Sequence, residues 1–326
     1  MQISKIAETS QRVTYFTALV LPVYVGLTVL LWTALLIAGD SALIGLCHAM
    51  GTISSSGISP ITGLGGAASG LIGEILIFLC FGFALTRRLW PGAITTDRSA
   101  TLWGDPELRL AVGIVATVTA VLCLYQTSQF AFSGGPQSIG ASLRSLWGTA
   151  FTALSFLTTT GYSSSVWPGF GAPSLFLLGL AILGGGVATT AGGIKLLRVY
   201  ALLRHSEREL ERVVHPHSIG GHGAVARRLR RQGAYLAWIF FMVFGISIAA
   251  TTAAMTLTGL EFWQSMVLAV AGLTNTGPLA AAISETQMSY SALGSSQMAV
   301  LGLAMILGRV EILAVFVVFA RESWAR

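Results

Sequence analysis

The chain has 326 residues, of which 54% are hydrophobic and only 10% charged, and its net charge is +6. That balance excludes an ordinary soluble domain, in which about a quarter of residues are charged, and a mean hydropathy of +0.75 points to an integral membrane protein. The basic excess excludes a nucleic-acid binder by its placement. Apart from Arg144 and Arg309, every Lys and Arg falls at the N-terminus, in the loops after Arg87 and Lys195, or at the C-terminus, where the positive-inside rule puts both termini and the basic loops in the cytoplasm.

In chain order, apolar segments long enough to cross a hydrocarbon core fall near 13–37, 68–89, 108–132, 172–200, 233–258 and 293–320. The first follows Lys5 and Arg12, as a signal peptide would. It is too long for an h-region and has no small-residue cleavage site before Asp40, so it is expected to stay as a helix. In the first unit, residues 13–37 span, 41–50 form a short re-entrant helix that Asp40 would cap, and 64–87 return. The second unit runs over 109–204 around a short helix at 142–157, and the third over 231–324 around one at 261–273. Stretches this short cannot span, and they mark re-entrant segments. The fold class so read is all-α integral membrane, in tandem helix–pore-helix–helix repeats at 1–107, 108–204 and 233–326.

Residues 205–232 are the one substantial polar insert, expected as a cytoplasmic basic loop. Arg208, Arg212, Arg227, Arg228, Arg230 and Arg231 there face Glu207, Glu209 and Glu211. Two readings stand: a solvated loop against lipid headgroups, or a docking surface for a soluble regulatory subunit. His215, His217 and His222 lack the acidic or cysteine partners of a metal site. Cys47, Cys80 and Cys123 sit in apolar segments and read as buried free thiols.

One pattern occurs three times, each copy following a short helix. It reads Thr52-Ile-Ser-Ser-Ser56-Gly57-Ile-Ser, then Thr158-Thr-Thr160-Gly161-Tyr-Ser, then Thr274-Asn275-Thr276-Gly277-Pro278. A glycine at membrane depth frees the backbone to turn carbonyl oxygens toward a pore axis, and the preceding hydroxyls add further oxygens. Close packing of small residues between helices would explain one such run; three in register favour a pore. Residues 184–193 (GGGVATTAGG) should break a transmembrane helix, since each glycine costs about 1 kcal/mol against alanine. Consecutive glycines do not fit a spaced helix-crossing motif, so this stretch is expected as a non-helical intramembrane loop. Arg309 is the costliest placement in the chain and needs a cavity or a partner. Carbonyls of the 184–193 loop are natural acceptors for it, whereas Glu311, two positions on, points to another helix face. Glu74 reads either as an attractor of cations at the outer mouth or as a carboxylate bonded to a neighbouring loop. Lys195 and Arg198 read as the edge of the loop or as headgroup anchors, and His48, Trp147 and Trp263 as packing or interfacial residues rather than ligands. An intramembrane Ser–His hydrolase is the other chemical class, but His48 has no nucleophile elbow near it.

With these motifs, and with Lys195-Leu-Leu-Arg198 and Leu307-Gly-Arg309-Val-Glu311-Ile, the chain resembles the Trk/Ktr/HKT superfamily of potassium transporters over essentially its whole length, the bacterial TrkH type in particular. The resemblance implies a single-layer K⁺ filter with one glycine per repeat, at Gly57, Gly161 and Gly277, supported by Thr52, Ser56, Thr160, Asn275 and Thr276. It implies a gating loop containing Gly184, Gly185, Gly186, Gly192 and Gly193, with Lys195 at its edge and Arg309 as a barrier under the filter. Here the first filter lacks the usual Gly-Gly-Phe ending, and Pro278 stands where a second glycine is common. The resemblance further implies a homodimer in a bacterial inner membrane, resting on a cytosolic TrkA/KtrA-like nucleotide-binding ring. NAD- or ATP-type nucleotides would act only through that partner, since the chain has no phosphate-binding loop or Rossmann signature. Such pores close with four repeats, and three are found here. The first is thus expected to be lost by truncation or a late start, or carried on another polypeptide. Alternatives are a Ktr-like Na⁺-dependent transporter and a non-conducting assembly subunit.

Overall fold

The computed structural model describes residues 9–61, 63–90, 104–133, 139–164, 172–215, 224–283 and 290–310. Among these every regular element is helical. The first unit comprises α1 (Thr9–Ile37), α2 (Ala42–Ile53), α3 (Gly70–Cys80) and α4 (Gly82–Leu85). The second comprises α5 (Pro106–Ser133), α6 (Ile139–Leu157) and α7 (Ala172–Leu183), followed by α8 (Leu196–Val214). The third comprises α9 (Ala224–Leu257), α10 (Phe262–Thr274), α11 (Leu279–Ile283) and α12 (Ser295–Arg309). The short helices α2, α6 and α10 each pack on the long helix before them, so one helix–short helix–helix order recurs three times.

Stretches of α1, α5 and α9 are long and apolar enough to cross a membrane: Thr17–Ile37, Pro106–Ser128 and Gly233–Leu257. Their outward faces carry exposed Leu30, Ile37, Leu124, Leu236 and Ile246. The polar residues Ser155, Thr158, Thr160, Ser265, Thr274 and Thr276 are instead fully buried. This inversion suits a lipid surround, where backbone and hydroxyl groups must find partners inside the protein. One apolar cluster joins the units through Leu35 and Ile53 of the first, Phe151 and Leu177 of the second, and Leu268 and Leu301 of the third.

Three sequence expectations change. Asp40 does not cap α2: Ser41 takes that position without a side-chain cap bond. The Asp40 carboxylate instead accepts the Ser69 amide (2.8 Å) and hydroxyl (3.0 Å), tying the start of α2 to the start of α3. The expected helix over 68–89 breaks at Phe81 and ends at Leu85. The end at Leu85 follows from Thr86, which is extended (φ −136°, ψ 133°) and donates its hydroxyl to Asp105 at 2.6 Å. Residues 205–232 are not a loop throughout, because α8 runs to Val214 and α9 begins at Ala224. Good helix formers continue there, and Arg204 bridges Glu207 at 2.9 Å across one turn. The centre of that insert, with His217 and His222, lies outside the described residues, as do Glu311 and the end of the last expected span.

Candidate functional site

The three short helices end in the same backbone motif. At Ser55, Thr159 and Asn275 the chain turns left-handed, with φ of 49°, 58° and 56°. Each of these amides donates three residues back, to Thr52 (3.2 Å), Phe156 (3.1 Å) and Gly272 (3.1 Å). The following amides, of Ser56, Thr160 and Thr276, reach five back to Gly51 (2.9 Å), Ser155 (3.0 Å) and Ala271 (3.0 Å). These are the paired bonds of a Schellman termination, built here on residues with side chains where glycine is usual. A hydroxyl contact recurs beside it: Ser54 with Ser56 (2.8 Å), Thr158 with Thr160 (3.2 Å) and Thr274 with Thr276 (2.9 Å). The Ser/Thr-x-Ser/Thr spacing therefore braces each turn from within. Thr52 joins the first turn through its carbonyl, while its hydroxyl bonds back inside α2 to the His48 carbonyl at 2.7 Å.

Each glycine follows its turn, and the three loops meet there. Gly57 and Gly161 are themselves left-handed (φ 61° and 83°). Gly277 is not, as befits a residue held by the proline after it. A Cβ on Gly57 would lie 1.9 Å from the Thr160 carbonyl oxygen and 2.8 Å from the Pro278 ring. One on Gly161 would lie 2.9 Å from Thr276 and 3.0 Å from Pro278, and one on Gly277 3.3 Å from the Ser56 carbonyl. Backbone from all three units thus converges, which brings together Ser56, Gly57, Thr160, Gly161, Thr276 and Gly277.

Side chains from neighbouring units hold the loops. Tyr162 donates to the Ile58 carbonyl (3.0 Å) and lies edge-on to His48, while His48 Nε2 contacts the Ser59 hydroxyl at 2.9 Å. His48 is therefore a packing residue, as expected. Glu74 is buried and accepts from Trp147 (3.0 Å) and from Ser164 (2.9 Å), three residues past Gly161. Of its two readings the structure favours the bonded carboxylate. Tyr290 donates to the Gly277 carbonyl, a support that the sequence reading does not single out.

Below the loops, residues 184–193 leave the helix as expected. Their ends are tied together, with amides of Ile194, Lys195 and Leu196 donating to carbonyls of Ile182 (3.0 Å), Leu183 (2.9 Å) and Gly185 (2.9 Å). This is a compact Ω-like excursion between α7 and α8. Three separate bodies seat it. The Gly186 amide and the Thr189 hydroxyl both donate to the Ala84 carbonyl at 3.0 Å, at the open end of α4. The Gly192 amide donates to the Thr159 hydroxyl at 2.8 Å. Arg309 donates to the Thr190 carbonyl at 2.9 Å, the type of acceptor that its sequence position called for. Glycine is required at the seat: a Cβ on Gly186 would meet the Leu85 carbonyl at 2.2 Å, and one on Gly192 the Thr274 carbonyl at 2.1 Å. A cavity of about 230 Å³ opens beside the loop, lined in part by Gly192, Lys195, Asn275 and Arg309. Arg198 stacks its guanidinium on Phe240 of α9, 3.9 Å from the ring centre. The role of α4 as a seat has no signal in sequence, because it rests on main-chain carbonyls.

Residues 77–325 match the family model TrkH, described as cation transport protein. The Trk system potassium uptake protein TrkH of Escherichia coli K12 is 26% identical over 306 residues, covering 93% of this chain and 61% of that protein. Its namesake from Halomonas elongata is 27% identical over 337 residues, covering 99% of this chain and 64% of its own length. The chain therefore spans less than two thirds of these relatives. The crystal structure of the potassium transporter TrkH from Vibrio parahaemolyticus superposes with a TM-score of 0.78 at 22% identity, over 96% of this chain and 66% of that one. That likeness supports the helical architecture, and the family match covers most of the sequence: the chain belongs to the TrkH family of cation transport proteins.

Proposed function

We propose that the chain is a pore-forming membrane component of a potassium uptake system. K⁺ passes the backbone of Gly57, Gly161 and Gly277, and residues 184–193 with Arg309 gate the path. The observation that carries this reading is the threefold Schellman-terminated loop, whose three copies converge directly above a glycine-rich excursion. Carbonyl oxygens suit a dehydrated monovalent cation without a fixed negative charge. The potassium-specific names of the relatives support K⁺ as the ion. The basic excess around 87–109 and 195–231 supports a cytoplasmic placement of those regions and of both termini. In this reading the protein is a multi-pass protein of a bacterial inner membrane. It is homodimeric, with nucleotide control supplied by a cytosolic ring of regulatory subunits.

The test is ⁸⁶Rb⁺ uptake in cells lacking K⁺ transport. Uptake that Gly161→Ser abolishes, or strips of K⁺-over-Na⁺ discrimination, supports the filter assignment. Dependence on external Na⁺ would assign the Ktr-like mode. The tight approach of Pro278 to Gly57 and Gly161 favours one second reading, a non-conducting assembly subunit. No uptake, together with co-purification with a full-length TrkH relative, supports it; absence of both overturns both readings.

A further inference from the structure

We infer that Lys195 serves the 184–193 loop as a loaded hinge: its backbone is held in a conformation that glycine adopts freely and lysine does not, and the seated loop carries that strain. This rests on the reading of the loop as a gate and adds a positioning residue that acts through its main chain. Lys195 has φ 77° and ψ 132°. The small left-handed basin open to residues with a side chain lies near φ of about 57° and ψ of about 47°, and Asn275, at φ 56° and ψ 32°, sits within it. Lys195 shares the sign of φ, but its ψ puts it well outside, in territory that only glycine enters without cost. Glycine does stand at the two neighbouring bends of the same sign, Gly184 (φ 71°) and Gly193 (φ 77°). Position 195 is the joint of the base that carries a side chain instead.

Such a conformation persists only where its surroundings over-determine it, and here they do. The Lys195 amide donates to the Leu183 carbonyl at 2.9 Å, and the Lys195 carbonyl accepts the Arg198 amide at 3.0 Å in the first turn of α8. Lys195 thus joins the end of α7 to the start of α8. The residues on either side are anchored in different packing clusters. Ile194 is buried with Phe240, Phe244 and Leu273, and Leu196 is buried in the apolar cluster that joins the units. Neither neighbour can turn to relieve the torsion between them while the loop is seated. Rotation of the peptide between Lys195 and Leu196 lowers ψ toward the open basin and swings the Leu196 amide off the Gly185 carbonyl. That bond ties α8 to the loop, so release of strain and release of the loop are one movement. The bonds of Ile194 and Lys195 to α7 keep the base in place meanwhile.

The experiment compares two substitutions at one position. Lys195→Ala and Lys195→Gly both remove the ammonium group, and only glycine removes the Cβ that makes the conformation costly. Ala191, 4% exposed on the seated loop, becomes the reporter as Ala191→Cys in a full chain whose Cys47, Cys80 and Cys123 are replaced by alanine. Its rate of labelling by a charged thiol reagent, measured in membranes, tracks the lifted fraction. Lys195→Gly should label about tenfold more slowly than Lys195→Ala, which corresponds to about 1.4 kcal/mol and lies within the cost of one such residue. Equal rates, or faster labelling of Lys195→Gly, overturn the inference. If the reporter chain does not fold, denaturation temperatures in the chain with its native cysteines carry the test. Lys195→Gly should melt above Lys195→Ala, the reverse of the order that glycine's extra chain freedom gives elsewhere; the ordinary order overturns the inference. Neither measurement needs ion flux. Absence of uptake in the parent removes the gate reading, whereas the order of the two variants decides the hinge.

Discussion

Thr159 is a residue at which the second of the three convergent loops touches residues 184–193. It occupies a left-handed backbone position (φ 58°) that β-branched residues rarely adopt, and its hydroxyl accepts the Gly192 amide. Thr159→Val keeps the shape and removes that acceptor, leaving a half-buried N–H without it at a cost of about 1 kcal/mol. Uptake should rise through looser seating of the loop, with K⁺-over-Na⁺ discrimination retained; a competition assay against Na⁺ checks both. Reduced uptake with unchanged thermal stability would contradict this. The threonine run was legible in the sequence as one of three repeated Ser/Thr–Gly loops. Its downward contact was not, because the partner is a main-chain amide of a segment 33 residues away.

At the level of elements, the loop is seated by helix ends rather than by helix faces. The last carbonyls of a helix have no partner within it, and α4, stopping at Leu85, offers them to Gly186 and Thr189. The opposite side of the seat belongs to α12 through Arg309. Arg309→Ala removes the bond to Thr190 and the positive charge in the cavity, and ⁸⁶Rb⁺ uptake should rise about tenfold, the order expected for one charge-assisted hydrogen bond. Unchanged flux would remove Arg309 from the gate. The three short helices were legible to within about three residues, since an apolar run closed by Ser/Thr and Gly has few other physical solutions. The end at Leu85 was not, for it depends on Thr86 meeting Asp105. Hydropathy also mistook the second half of amphipathic α8, from His205 on, for loop, because charged residues that pair along a helix read as solvated chain.

Across the whole molecule, the units are fastened through buried polar links set in an apolar interior. Glu74 on α3 receives Trp147 and Ser164 of the second unit, and Trp147 also packs on Phe78, 5.2 Å between ring centres. Glu74→Ala should lower the denaturation temperature, having cost about 3 kcal/mol by stranding both donors. Glu74→Gln, which keeps an acceptor, should lose much less. A similar fall in both would mean that packing volume, not hydrogen bonding, joins the units. The threefold order of the molecule could be seen in the sequence because each copy carries its own turn chemistry. The pairing of Glu74 with Trp147 could not, since 73 residues separate them and neither position is unusual alone.

The clamped ends of the 184–193 excursion set how it can travel. Three main-chain bonds pin its base, so α7 and α8 need not separate for the tip to shift. In the gate reading proposed above, the excursion is a trapdoor on a fixed hinge, able to swing on the nanosecond-to-microsecond scale of loop motions rather than the slower one of helix repacking. A signal arriving along α8 would turn the hinge through Lys195 and Leu196, and the tip would follow as a lever.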